Sequence, residues 1–417
     1  MNTWKKVKIQ DVTTVLGDGL HGTPKYTEDG EYAFVKGNNL VNGKLLIKKD
    51  TKRVDKTQYE KYKKPLDDRT IMVSINGTLG NVGVYNGEKV ILGKSACYFN
   101  VKEEYDKDFI KYVVSSPVFK NYLENNATGT TIKNISLKQM REYEFDVPSY
   151  ELQRKISGIL KNIDDKIETN EAINRNLEEQ AKAVFTSWFV RFECFDEPMK
   201  KSPIGYEIPE SLDLVQIGDL NPILETGRRP KGGAVSEGIP SIGAESVKGL
   251  GNVNLSSNKY IPIDFAAKQK TGKVNGYELM IYKDGGKPGE FHPHFSMFGE
   301  GYPFDDFYIN EHVFKLDFGN RGFNELAYFY FQTDNVMNWL ESNGGKAAIP
   351  GINQNVVKSI WIVKPEHPKV KEYCEWVQPL FTQILKNCYS NMKLAELRDT
   401  LLPKLMSGEL DVSDLDI

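Results

Sequence analysis

The chain has 417 residues, too many for one hydrophobic core and suited to two or three domains. Charged residues make up 27% and hydrophobic residues 40%, with 21 Tyr and 21 Phe, which excludes wholesale disorder and collagen-like or low-complexity structure. Net charge is −3, the four cysteines (Cys97, Cys194, Cys374, Cys388) form no CxxC pair, and no apolar run approaches the roughly 20 residues of a membrane span, so neither a disulfide framework, a zinc ribbon nor a membrane protein is expected. Met1-Asn-Thr-Trp-Lys-Lys has no apolar segment behind its charges and does not read as a signal peptide, which makes the cytoplasm the expected location.

Charge is unevenly divided. Residues 1–150 carry 24 Lys+Arg against 19 Asp+Glu, and residues 201–365 carry 16 against 19. A chain that gripped DNA by charge alone would be more basic. If nucleic acid is the partner, its cations must cluster on one face or a second subunit must supply phosphate contacts.

The predicted elements begin with a strand-rich globule, residues 1–148. Gly22-Thr-Pro24 is followed by Val35-Lys-Gly37-Asn-Asn39, and strand signals at Ile71–Ile75 and Ala96–Val101 are broken by Asn76-Gly77 and Asn86-Gly87 turns. A short helix is predicted from Asp108 to Asn121. A long amphipathic helix follows within residues 149–195. Leu152, Ile156, Ile159, Ile163 and Ile167, then Ile173, Leu177, Ala181, Val184 and Trp188, recur at steps of three and four around a polar interruption at Asn170. Ser149 can cap it and Glu151 suits its positive end. No Gly or Pro interrupts it between Ile159 and Arg191.

Residues 196–365 then repeat the plan. Pro230 echoes Pro24 and Gly243 echoes Gly37, both 206 residues on. Leu279-Met-Ile-Tyr-Lys-Asp-Gly285 echoes Ile71-Met-Val-Ser-Ile-Asn-Gly77 at 208, and Ala348–Ile352 echoes Thr131–Ile135 at 217. Ile362-Val-Lys-Pro365 echoes Phe145-Asp-Val-Pro148, also at 217, and Ile384-Leu-Lys-Asn387 echoes Ile159-Leu-Lys-Asn162 at 225. Offsets that only increase are what a colinear duplication with loop insertions produces. The last segment, 366–417, carries a second long helix that starts near Pro368, holds Val370, Tyr373, Val377, Leu380, Ile384, Cys388, Met392 and Ala395, and is expected to stop before Pro403. An isolated amphipathic rod cannot leave its seam in water, so two rods of similar length are each other's expected partners, running antiparallel; the alternative is that each packs on its own globule or on another protein. The fold class is α+β: two strand-rich α/β globules separated by two long, coiled-coil-like antiparallel helices, with a pseudo-two-fold internal repeat.

Three segments resemble the specificity subunits of Type I restriction-modification systems. Glu151-Leu-Gln-Arg-Lys-Ile-Ser-Gly-Ile-Leu-Lys-Asn-Ile-Asp-Asp-Lys-Ile-Glu-Thr-Asn170 is similar to that family's central conserved region, Ala183-Val-Phe-Thr-Ser-Trp-Phe-Val-Arg-Phe192 to its end, and Leu397-Arg-Asp-Thr-Leu-Leu-Pro-Lys-Leu-Met-Ser-Gly-Glu-Leu410 to the family's C-terminal ending. The resemblance implies that each globule is a target-recognition domain reading half of a bipartite site on double-stranded DNA, and that the helices space the two and dock two methyltransferase subunits. A restriction/translocase subunit can join. It also implies no cofactor in this chain, with S-adenosylmethionine on the methyltransferase and ATP and Mg on the nuclease. Because the globules differ in residues, the half-sites are expected to differ, giving an asymmetric, bipartite target.

Contact candidates are loop donors beside Gly or Pro, where backbone can approach a groove. In the first globule these are His21, Thr23, Lys25, Lys36, Asn38, Asn39, Asn76, Thr78 and Lys94; in the second, Arg228, Arg229, Lys231, Lys248, Lys283, Lys287, His292 and Lys346. Arg forks onto guanine and Asn onto adenine, whereas Lys more often grips phosphate. For any one of them the bland reading is a solvated surface residue. The predicted helix-pair core is Leu152, Ile156, Ile159, Ile163, Ile167, Leu177, Val184, Val377, Leu380, Ile384 and Cys388. Trp188 and Phe189 are either packing residues or a docking patch.

Enzymatic signals fail on inspection. Gly93-Lys94-Ser95 resembles the end of a phosphate loop, but position 88, where the earlier Gly belongs, is Glu. Asn221-Pro222 lacks the second Pro and aromatic of an adenine-methyltransferase motif, and His292-Pro-His294 has no acidic or cysteine set at ligand spacing, so no metal site is expected. Two rivals to a non-catalytic specificity subunit remain in view: a self-contained DNA-acting enzyme, and a coiled-coil adaptor that binds only proteins.

Overall fold

The computed structural model describes residues 4–129, 132–287, 289–345 and 350–415. The candidate Lys346 and the ends Thr131 and Ala348 of one repeat pair lie outside them. Thr70–Ser74 and Ala96–Val101 pair antiparallel, Phe99 opposite Ile71 and Tyr98 opposite Met72. Every side chain in both strands is buried, so they read as continuous apolar runs and not as alternation. Their polar members are paired: Thr70 Oγ1 donates to Asn100 Oδ1 at 2.8 Å, and Asn100 Nδ2 donates to the Pro65 carbonyl at 2.8 Å.

By its contacts the chain forms two units, residues 1–166 with 394–417 and residues 167–393. In the first unit, Thr13–Asp18, Ala96–Val101, Thr70–Ser74 and Val82–Val84 lie side by side in that order, extended by Gly43–Leu45 and Leu40–Val41. A second sheet sets Tyr32–Val35 between Arg53–Val54, antiparallel, and Val90–Leu92, parallel. Lys5–Lys8 pairs with Glu144–Val147.

Among the described residues, the second unit rebuilds these pieces, apart from the Gly43–Leu45 and Leu40–Val41 extension, from other residues. Ile223–Thr226, Val313–Asp317, Leu279–Tyr282 and Phe295–Met297 repeat the four-strand order. Ile239–Ile242 sits between Lys259–Ile261, antiparallel, and Tyr308–Ile309, parallel. Leu214–Gln216 pairs with Trp361–Val363. Identical strand order and identical pairing senses are the structural form of the drifting echoes in the sequence.

Two helices follow the last central strand in each unit. The sequence predicts one helix at 108–121, but two form, Lys107–Ser115 and Pro117–Asn126. A residue before proline avoids the helical region, and Ser116 is extended (φ −67°, ψ 152°) while its hydroxyl accepts from Phe119 N at 3.2 Å, ending one helix and capping the next. Their counterparts are Arg321–Tyr330 and Asp334–Gly344.

The long helices are Tyr150–Phe189 and Pro368–Ser407. Ser149 stands before the first, its Oγ 3.4 Å from Leu152 N. The second does not stop before Pro403: it runs through Pro379 and Pro403, and both prolines are exposed, so the carbonyls that lose a donor lie on the solvent side. It ends where Gly408 takes φ +74°. Within the second unit the helices pair antiparallel, with Asn170 Nδ2 donating to Asn391 Oδ1 and Asn387 Nδ2 to Asn174 Oδ1, both at 2.8 Å, and Tyr373 Oη to the Ala181 carbonyl at 3.0 Å. Within the first unit the same sense holds, with Arg398 Nη1 donating to Asp164 Oδ1 at 2.9 Å. Asp164 also accepts from Tyr112 Oη at 2.7 Å. Burial would raise its pKa, but the Tyr112 and Arg398 bonds and the Lys111 charge outweigh that and hold the carboxyl below the ordinary Asp value.

Mutual pairing and packing on the globules both occur. Leu152, Ile156 and Leu160 join Leu402 and Leu405 in the first unit's core, and Ala181, Phe185 and Phe189 join Val370, Tyr373, Val377 and Phe381 in the second's. Of the predicted seam, Leu152, Ile156, Val377 and Ile384 are buried, and Ile159, Ile163, Ile167, Leu177, Val184, Leu380 and Cys388 are half-buried. Ile173, placed on the same stripe by its spacing, is 41% exposed. At that turn the seam runs through Asn170 and Asn174, so the interruption in the apolar pattern is itself the contact and Ile173 falls off the stripe.

Candidate nucleic-acid interface

In the first unit a cleft of about 500 Å³ opens where Thr13–Asp18 and Tyr32–Val35 end beside the turn joining Val90–Leu92 to Ala96–Val101. Backbone crossing creates it. A Cβ on Gly19 would overlap the Leu92 carbonyl, so only glycine lets the chain pass so close, and Leu20 N then donates to Leu92 O at 2.7 Å. His21, Thr23, Lys36, Asn76 and Lys94, all predicted contacts, line this cleft together with Ser95 and the ring of Phe34. Lys36 and Lys94 are exposed, and Lys36 Nζ lies 5.2 Å from the centre of the Phe34 ring. Asn76 Nδ2 donates to Asn134 Oδ1 at 3.1 Å, which fixes its amide at the rim. His21 Nε2 lies 2.6 Å from Asp18 Oδ2.

The second unit places an equivalent cleft, about 210 Å³, at the ends of Ile223–Thr226 and Ile239–Ile242 and the turn joining Tyr308–Ile309 to Val313–Asp317. Gly227 repeats Gly19: a Cβ there would overlap the Ile309 carbonyl. Arg228 and Arg229 line the cleft, both exposed, with Ser241, Lys259, Asn310, Glu311 and His312. Arg229 Nη1 is 3.9 Å from Glu311 Oε1, and His312 Nε2 is 3.5 Å from the same carboxylate. On its other side His312 Nδ1 meets Asp284, which also holds Lys283 Nζ. An exposed pair such as Arg229 and Glu311 contributes on the order of 0–1 kcal/mol, so Arg229 can leave for a phosphate or a base at little cost.

Several predicted contacts lie elsewhere. Asn39 is buried, with Oδ1 accepting from Lys36 N at 3.0 Å and Nδ2 donating to Leu46 O at 2.9 Å, so it shapes the loop and offers no free amide. Lys25, Asn38 and Thr78 are exposed on neighbouring loops without lining the cleft. Lys231, Lys248 and Lys287 are likewise exposed and off the second cleft, Lys231 being followed by Gly232 and Gly233 at φ +91° and +89°. Lys283 is half-buried against Asp284 and 5.7 Å from the Phe314 ring centre. His292 pairs with Glu341 at 3.1 Å. Among the described residues no three His, Cys, Asp or Glu side chains gather as a metal site.

The sequence reading missed Ser95, Ser241, Lys259, Asn310, Glu311 and His312. A signal existed: Gly93-Lys94-Ser95, set aside as a failed phosphate loop, stands 217 residues before Asn310-Glu311-His312, an offset already present in the repeat. Phe189 is buried and Trp188 half-buried, their rings 5.5 and 6.3 Å from that of Tyr373, with Lys369 Nζ 5.0 Å from the Trp188 ring centre. Both are packing residues in this unit.

The profile of one family, described as Type I restriction modification DNA specificity domain, matches residues 1–179. The specificity subunit of the Type I restriction enzyme MjaIX of Methanocaldococcus jannaschii is 26% identical across 99% of this chain and 94% of its own length. The HindI specificity subunit of Haemophilus influenzae is 22% identical across 67% of this chain and 72% of its own. The fold is similar to the crystal structure of the Type I restriction-modification S subunit from M. genitalium, at TM-score 0.58 and 19% identity over 99% of this chain and 97% of that one.

Proposed function

We propose that the chain is a specificity subunit of a Type I restriction-modification system, as its likeness to that family over residues 1–179 and to the MjaIX specificity subunit over nearly its whole length supports, and that its two clefts are the base-reading sites, each taking one half of an asymmetric bipartite target on double-stranded DNA. The observation that carries this reading is that one cleft is built twice, at the same topological place, from different side chains. Shared architecture serves a shared task, and unshared residues give unlike words. In each cleft, cations and amides stand at strand ends beside glycines, where backbone can approach a groove and Arg, Lys and Asn can reach base edges or phosphates.

The chain supplies specificity and no chemistry of its own. The long helices dock two methyltransferase subunits, which carry S-adenosylmethionine, and a nuclease subunit using ATP and Mg completes a restriction complex. Partners closing around the duplex add phosphate contacts, which accounts for a net charge of only −3 in a DNA-reading chain. The test is a titration, at fixed salt, of the complex of this chain with its methyltransferase subunits. Arg228→Ala with Arg229→Ala is expected to weaken DNA binding roughly tenfold or more and leave subunit assembly intact. Unchanged affinity would remove the second cleft from the interface.

A further inference from the structure

The two clefts place opposite chemistry at matching positions. In the first, the turn between the parallel-paired strand and the last central strand is Gly93-Lys94-Ser95, and the second residue past the end of Thr70–Ser74 is Asn76. In the second, the same turn is Asn310-Glu311-His312, and Asn76 is matched by Asp284. Among the described residues no carboxylate lines the first cleft, whereas Glu311 lines the second.

We propose that Glu311 is a specificity determinant of the second half-site, accepting a hydrogen bond from an exocyclic amine in the major groove, cytosine N4 or adenine N6, while Lys94 gives the first cleft the opposite preference for the acceptor edge of guanine. This rests on reading the clefts as base-reading sites. An ionised carboxylate only accepts, so guanine O6 and N7 and thymine O4 repel it and an amine satisfies it. Glu311 has capacity to spare: its neighbours Arg229 and His312 stand 3.9 and 3.5 Å away, longer than hydrogen bonds, and its side chain is 32% exposed. Arg229, with Arg228 and Lys259, offsets the cost of bringing a negative group to a polyanion. Asp284 has a different role. Held by Lys283 and His312, it is a positioning residue that orients the imidazole beside Glu311.

The experiment maps the methylated motif, base by base, in DNA modified by the chain assembled with its methyltransferase subunits. Wild type, Glu311→Gln, Glu311→Ala and Lys94→Ala are compared. Both Glu311 variants are expected to keep the first half-motif and lose about tenfold of the preference at one base pair of the second, a pair presenting cytosine or adenine to the reader; which base it is separates the two amines. Lys94→Ala is expected to relax a guanine in the first half alone. Motifs unchanged in both Glu311 variants overturn the inference, as does relaxation at a position that presents no amine. Failure of the broader reading looks different: Arg228→Ala with Arg229→Ala and Lys36→Ala with Lys94→Ala would then leave DNA affinity intact.

Discussion

Lys315 shows how much one buried charge can hold. Its side chain is 6% exposed, and Nζ lies 2.9 Å from Glu225, 3.7 Å from Glu278 and 2.6 Å from the Lys273 carbonyl. Glu278, 2% exposed, accepts in turn from Asn275 N and Gly276 N. Removing the cation strands a buried carboxylate, so Lys315→Ala is expected to cost about 3–5 kcal/mol in chemical denaturation, whereas Lys273→Ala, which breaks an exposed pair with Asp306, should cost under about 1 kcal/mol. Nothing in the sequence marks Lys315: it sits in a Val-Phe-Lys-Leu-Asp strand and reads as a surface lysine on an alternating face. The same limit applies to Glu311 and His312. Donors beside glycines could be picked out because the backbone preference is local. A charged residue whose meaning comes from a strand far along the chain could not, except through the repeat offset.

At the scale of elements, the long helices were the most legible part because a period near 3.6 is written in each helix alone. Their ends were less so. Pro403 looked like a stop, and a proline on a solvent face is not one. What periodicity hid was the polar seam, where Asn170, Asn174, Asn387 and Asn391 stand in for apolar knobs. Asn170 is 2% exposed, so deleting its partner leaves an unsatisfied amide, while replacing both restores an apolar contact. Asn391→Leu alone is therefore expected to destabilise by about 1–3 kcal/mol, and Asn170→Leu with Asn391→Leu to be near neutral or stabilising. A double-mutant cycle read by denaturant midpoint checks it; additive losses would mean that the two amides do not act as a pair.

At the scale of the whole chain, packing sets boundaries at other places than the sequence pattern does. Strand order and pairing sense repeat in the four central strands, the three-stranded sheet and the terminal pair of each unit, and the colinear echoes showed that much. They also suggested globules ending near Pro148 and Pro365, with the helices as segments apart. In the structure the second unit is the single stretch 167–393, and its core needs helix residues from both of its ends. Phe185 packs on Phe329 and Tyr373 at ring separations of 5.9 and 6.1 Å, and Phe381 packs on Phe329 at 5.6 Å. An exchange of this unit with that of a relative of different specificity should therefore follow those boundaries. Swapping 167–393 moves a core and its cleft together, and the methylated motif is expected to change in one half only. Swapping 196–365 sets a foreign globule against Phe185, Phe189, Tyr373 and Phe381, and mismatched packing at buried aromatics costs about 2–5 kcal/mol, enough to unfold a marginal unit. Motif mapping and thermal denaturation of the two chimeras distinguish the outcomes. Equal stability of both would show that the ring cluster is not what binds this globule to its helices, and a change in both half-motifs would show that the two clefts do not read independently.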